Sequence, residues 1–122
     1  MSSVFGQVIQ VAFPNRSPKG HEQTGIRPAL VIADPTNQQK LESPMLIVAP
    51  MSTQKKTSGA LRVQLLAGDA GIPQDSIIMC EQLTSIDVSR IRRAYGRLEG
   101  AKLEEAKSAV KTALADLLEL GV

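Results

Sequence analysis

The sequence predicts a mainly β fold with some α. About six to seven antiparallel strands close into a small barrel, followed by an amphipathic helix near the C-terminus. Three observations predict it. Short apolar or alternating runs recur along the chain, each bounded by polar, proline or glycine-containing turns. The segments between them are too short to hold crossover helices, so neighbouring strands run mainly antiparallel, and closure into a barrel would hide their edges. Only the last fifth of the chain carries helical spacing.

In order, Phe5–Phe13 reads as the first strand, because Ile9, Val11 and Phe13 recur at a period of two. Pro14 ends it, and Pro14–Gly25 is a long polar loop. Arg27 to about Ala33 is a buried strand. Pro28 holds Arg27 extended and cannot sit mid-sheet, so it marks that strand's first residue. Asp34-Pro35-Thr36-Asn37 is turn chemistry, and the polar run to Ser43 a second loop. Met45–Ala49 is a strand closed by Pro50, and Met51–Gly59 a flexible polar stretch. Leu61, Val63 and Leu65 alternate with Arg62 and Gln64, the pattern of a half-buried strand. Gly68–Asp75 is a turn, Ser76–Gln82 a strand, and Leu83–Asp87 continues extended. Val88–Gly100 has no clear period; Arg90, Arg92, Arg93 and Arg97 cluster there around Tyr95, either as a solvated face or as a patch that meets phosphate. Leu103, Ala106, Val110, Ala113, Leu114 and Leu117 mark the helix, with Glu104 and Glu105 in its first turn and Gly121 as its stop.

A length of 122 residues suits a single domain spanning 1–122. The formal net charge of +2 admits a polyanionic partner but falls far below that of a non-specific DNA coater. One cysteine, Cys80, excludes a disulfide framework and a multi-cysteine zinc site, and points to a reducing compartment. The N-terminus lacks the positive region of a signal peptide, and no apolar run approaches the roughly 18 residues of a membrane span, so the expected location is the cytoplasm. Aromatic residues make up 2%, too few for a stacking platform of the usual single-strand binders.

The chemistry narrows by residue type. One histidine, His21, and no nucleophile-elbow motif exclude a serine or cysteine triad. Cys80 lies inside an apolar run and reads as a buried structural thiol. His21 and Glu22 alone do not make a metal site, and no glycine pattern for a nucleotide follows a strand, so neither metal nor cofactor is expected. What remains is an arginine, hydroxyls and an acid at strand ends. Arginine keeps its charge and grips phosphate through two parallel hydrogen bonds. That set suits phosphodiester chemistry in which a ribose 2′-hydroxyl is the nucleophile, so the protein need only align groups, move protons and stabilise charge.

Three ordered blocks go further. They are Gly20-His21-Glu22-Gln23-Thr24-Gly25-Ile26-Arg27-Pro28-Ala29-Leu30-Val31-Ile32, then Val48-Ala49-Pro50-Met51-Ser52-Thr53-Gln54, then Cys80-Glu81-Gln82 with Ile86-Asp87. With Gly6-Gln7-Val8 before them and Leu98 and the helix after, the chain resembles the MazF/PemK/Kid family of toxins from type II toxin–antitoxin systems. The resemblance implies an SH3-like barrel, a homodimer, and sequence-specific, metal-independent cleavage of single-stranded RNA, chiefly mRNA, leaving 2′,3′-cyclic phosphate and 5′-hydroxyl ends. It implies a MazE-like antitoxin as partner, with DNA bound only through the toxin–antitoxin complex. By the same resemblance Arg27, Ser52 and Glu81 are the catalytic candidates. His21, Glu22, Gln23, Thr53, Gln54, Lys55 and Lys56 are the RNA-binding candidates. Ser52 stands where the family usually has threonine. Met79 stands where members with a catalytic aspartate at the Glu81 position carry an arginine, which favours Arg27 with Ser52 as the core pair. A related toxin family uses the barrel to inhibit gyrase, and a non-enzymatic interaction module is the other alternative.

Overall fold

A computed structural model describes residues 4–14, 25–35, 44–53 and 61–117. The strands are β1 (Gln7–Phe13), β2 (Gly25–Ala33), β3 (Met45–Ser52), β4 (Arg62–Leu65), β5 (Ser76–Met79), β6 (Thr84–Asp87) and β7 (Ile91–Arg97). The helix α1 spans Gly100–Leu117. All strand pairs are antiparallel, in the order β4-β5-β3-β2-β1-β7, with β6 also on β3. The mainly β class with a C-terminal helix stands. The sheet does not close: among the described residues β6 pairs only with β3 and β7 only with β1. The short 3-10 turn Val88–Arg90, capped by Asp87 accepting from the Ser89 amide at 2.8 Å, carries the chain from β6 to β7 without pairing them.

Strand alternation places apolar side chains on both faces. One face gathers Ile9, Val11, Phe13, Ala29, Val31, Val48 and Ile86. The other gathers Val8, Leu30, Ala49, Met51, Val63, Leu65, Ile78 and Cys80 beneath Ala106, Ala109, Val110 and Ala113 of α1. The small residues on this side of α1 let it lie close to the sheet. Leu114, expected on the packed face, is 42% exposed. The helix begins at Gly100, so Glu104 and Glu105 fall in its second turn, where they pair with Lys107 (3.8 Å) and Lys102 (3.2 Å). Gly121 lies outside the described residues, as does the side chain of Leu117.

The prolines do not bound the strands as expected. Pro28 is the fourth residue of β2, opposite Gln10, and Pro50 lies within β3. The last pair of the β2–β3 ladder is Ala29↔Pro50, after which β3 pairs with β5 through Met51↔Ile78 and Ser52↔Ile77. Both prolines thus sit where β2 and β3 part, the place where a missing N–H disturbs the ladder least.

The run Ser76–Gln82 divides. β5 stops at Met79, and Cys80–Gln82 forms a 3-10 turn tied to the start of β4 by the Cys80 amide donating to the Leu61 carbonyl at 3.0 Å. β7, unexpected from its sequence, packs its Gly96 against the turn Asp69–Gly71. A Cβ there would lie 2.7 Å from the Ala70 carbonyl oxygen.

Candidate active site

The site is built around the point where β3 changes partners. Arg27 lies on β2, half-buried, directly opposite Val11 of β1. The β2–β3 ladder ends at Ala29↔Pro50, with Arg27 two residues before Ala29 on β2 and Ser52 two residues after Pro50 on β3. Ser52 pairs with Ile77, and Ile77 with Gln64. Alternation along β2 and β3 puts Arg27 and Ser52 on the same face of the sheet, Arg27 in register with Val11, and Ser52 and Gln64 each in register with Ile77. Ser52 is 4% exposed, one of two buried polar residues among those described. Thr53, exposed, follows it at the strand's end. Two of the sequence candidates, an arginine and a hydroxyl, therefore lie on one face of the sheet, just beyond the end of the β2–β3 ladder. His21, Glu22, Gln23, Gln54, Lys55 and Lys56 lie outside the described residues.

Glu81 sits elsewhere on this surface, in the turn after β5. Arg62 of β4 donates to its Oε2 from Nη2 at 2.6 Å and from Nε at 3.1 Å. Arg62 stands directly across from Met79. The arginine absent at position 79 thus has a counterpart one strand away, already engaged with the carboxylate. The other carboxylate oxygen, Glu81 Oε1, and Gln82 Oε1 are buried with no hydrogen-bond partner among the described residues. Gln64 in the same strand donates to the Leu65 and Ser76 carbonyls at 2.8 and 3.2 Å, which fixes its side chain along β5.

Arg62 and Gln64 were not singled out from the sequence. The alternation Leu61-Arg62-Val63-Gln64-Leu65 places both on one face. Which other residues share that face depends on the register of β4 on β5 and β5 on β3.

Cys80 is fully buried, and desolvation pushes its thiol up to about 12, with the neighbouring Glu81 carboxylate adding to the rise. Such a thiol stays protonated and does not act as a nucleophile at neutral pH. No group of three or more His, Cys, Asp or Glu side chains among the described residues could hold a metal ion.

Residues 5–114 match the family of PemK-like, MazF-like toxins of type II toxin–antitoxin systems. The chain belongs to this family. Within it, the chain is similar to the endoribonuclease EndoA of Bacillus subtilis, 33% identical over 107 residues that cover 86% of this chain and 90% of that protein. It is also similar to the endoribonuclease MazF of Staphylococcus saprophyticus, 29% identical over 79% of each chain. Among solved structures, MazF of Deinococcus radiodurans superposes with a TM-score of 0.69 at 21% identity, covering 91% of this chain and 94% of that one. A MazE–MazF complex from the same organism gives 0.62 at 20% identity, covering 94% of each. At these identities the structures establish the MazF-like fold alone.

Proposed function

We propose that this protein is the endoribonuclease toxin of a type II toxin–antitoxin pair, with Arg27 and Ser52 as the core of its site. The observation that supports the reading is that Arg27 and the buried Ser52 lie on one sheet face just beyond the end of the β2–β3 ladder. Membership of the PemK/MazF family, and relatives named as endoribonucleases, support it.

The substrate is single-stranded RNA, chiefly mRNA, cut within a short sequence. The ribose 2′-oxygen bonds to phosphorus as the P–O5′ bond breaks. The 2′ proton leaves, and O5′ takes up a proton. This yields a 2′,3′-cyclic phosphate and a 5′-hydroxyl. The nucleophile comes from the substrate, so the reaction needs neither a metal ion nor a protein nucleophile. Arg27 stabilises the charge that grows on the phosphoryl oxygens, where a fixed planar donor is worth more than a flexible ammonium. Ser52 hydrogen-bonds the reacting phosphate. Thr53 and Gln54, with His21, Glu22, Gln23, Lys55 and Lys56 on the flanking loops, shape the RNA pocket. Glu81, placed among the catalytic candidates by its motif, acts here by positioning Arg62. The toxin works as a cytoplasmic homodimer, is covered by a MazE-like antitoxin, and meets DNA only through that complex.

The test is cleavage of single-stranded RNA by purified protein in EDTA, with the product ends identified by their response to polynucleotide kinase. Cleavage with 5′-hydroxyl ends supports the reading. Intact RNA together with blocked DNA supercoiling would replace it with a gyrase inhibitor. Intact RNA and unaffected gyrase would leave a binding module.

A further inference from the structure

The strand β4 carries two polar side chains that the sequence candidates leave out, and one of them is charged. Val63 and Leu65 are buried in the core beneath α1, so alternation turns Arg62 and Gln64 to the opposite face of the sheet. Met51 lies in the same core, which puts Ser52 on that opposite face as well. Register agrees: Ser52 and Gln64 are each in register with Ile77, and Arg62 with Met79, two residues further along β5. Arg27 shares this face with Ala29 and Val31. In the strand order β4-β5-β3-β2, Ser52 thus lies between the strand of Arg62 and the strand of Arg27. At a strand spacing of about 4.8 Å and a rise of about 3.4 Å per residue, the backbones at Ser52 and Arg62 are about 12 Å apart across the sheet. Their side chains stand off one face, so the separation suits neighbouring phosphates of one strand better than a single phosphate.

The Arg62 guanidinium is held in place. Glu81 Oε2 accepts from its Nε at 3.1 Å and from its Nη2 at 2.6 Å, and the arginine side chain is 23% exposed. A pair this exposed adds little stability. The other carboxylate oxygen, Glu81 Oε1, is buried without a hydrogen-bond partner among the described residues, a cost that such a pair does not offset. The pair therefore reads as a device that fixes an arginine. Gln64 does not compete for the role, since its amide donates to the Leu65 and Ser76 carbonyls. Ile77 and Met79, between Arg62 and Ser52 on this face, are buried and apolar.

We propose that Arg62 is a second phosphate-binding residue of the site, which grips the backbone phosphate next to the one cleaved at Arg27 and Ser52. The inference rests on the endoribonuclease reading and extends it along the substrate. Glu81 orients the planar fork, and arginine offers that fork to phosphate without reading the bases. A contact outside the reacting linkage is the same in the ground and transition states, so it adds affinity and not rate.

The experiment compares wild type with the double variant Arg62→Gln/Glu81→Gln. This variant removes both members of the pair, so no carboxylate is left stranded and the net charge of the chain is unchanged. Binding of a fully 2′-O-methylated single-stranded RNA, which offers no 2′-hydroxyl for cleavage, is followed by fluorescence anisotropy across a KCl series. Loss of one phosphate contact should lower the slope of log K against log salt by about 0.7. With the same RNA unmodified, KM should rise several-fold while kcat is kept. An unchanged slope, the result of a merely structural pair, overturns the proposal. So does an equal loss of slope in Arg93→Gln, which removes a cation from the opposite face, where Arg93 stands in register with Gln10. If circular dichroism shows the double variant unfolded, Arg62→Lys is read instead: it keeps the charge but lacks the fork, and a parental KM in that variant overturns the proposal. Wild type that binds the methylated RNA but leaves its unmodified form uncut sinks the endoribonuclease reading alone, and the salt slope still judges Arg62.

Discussion

The two ends of β3 do different work. At the Met45–Val48 end β3 is paired on both edges, with β2 and with β6, and Val48 is buried in an apolar cluster. Beyond Pro50, the last residue paired with β2, β5 takes over, and a serine is buried beside Met51. A ladder satisfied on both sides has its backbone donors and acceptors used up within the sheet. Past the last β2–β3 pair, Arg27 of β2 and Ser52 of β3 lie on one face of the sheet. The proposed core pair lies where β3 changes partners, on strands rather than on loops, which keeps its geometry rigid.

That contrast can be broken experimentally, beginning with the largest effect. Arg27→Ala should lower the cleavage rate about 10²–10³-fold, the usual loss for one charge-stabilising donor, with the melting temperature nearly unchanged. Arg27→Lys should be nearly as impaired, since an ammonium lacks the planar fork. Ser52→Ala should lose a large part of the rate while Ser52→Thr keeps it; an alanine variant at the parental rate would remove the hydroxyl from the mechanism.

The other regions should answer in stability instead. Gly96→Ala must push β7 off the Ala70 carbonyl, and should cost about 1–3 kcal/mol in urea denaturation. Arg62→Ala leaves the Glu81 carboxylate without its guanidinium. With both side chains about a quarter exposed, the cost is about 1 kcal/mol, with a modest drop in cleavage. Glu81→Gln should mimic Arg62→Ala in size if Glu81 acts by positioning, whereas a loss equal to that of Arg27→Ala would make it a catalytic group. The smallest effect is at Cys80. Folded protein at pH 8 should resist iodoacetamide, read by mass spectrometry, and react only once unfolded.

Much of this was readable from residue order. The alternation in Val8–Phe13 and Leu61–Leu65, and the spacing of Ala106, Val110 and Ala113, are local patterns that burial imposes directly on a strand or helix. β7 was not readable, because two register shifts against β1 break its period and Arg92, Arg93 and Ala94 are all exposed. Pro28 misled for a related reason. Its cost inside a sheet depends on whether a neighbour is there to receive the missing N–H, and the β2–β3 ladder has ended by that residue. At the candidate site, Arg27 and Ser52 were named by motif, and the sheet face they share depends on a register that no local pattern carries. The ion pair of Arg62 with Glu81 joins residues 19 apart, through a turn that ends β5 early.

The central claim is that Arg27 and Ser52 together act on an RNA phosphate without a metal ion. The most direct measurement is single-turnover cleavage of one single-stranded RNA in EDTA by wild type, Arg27→Ala, Ser52→Ala and the double variant, all confirmed folded by circular dichroism. The account predicts 5′-hydroxyl products from wild type, a deep loss in each single variant, and a double variant little worse than Arg27→Ala, because groups that act as a unit are not additive. An Arg27→Ala protein that cleaves at the wild-type rate would contradict it.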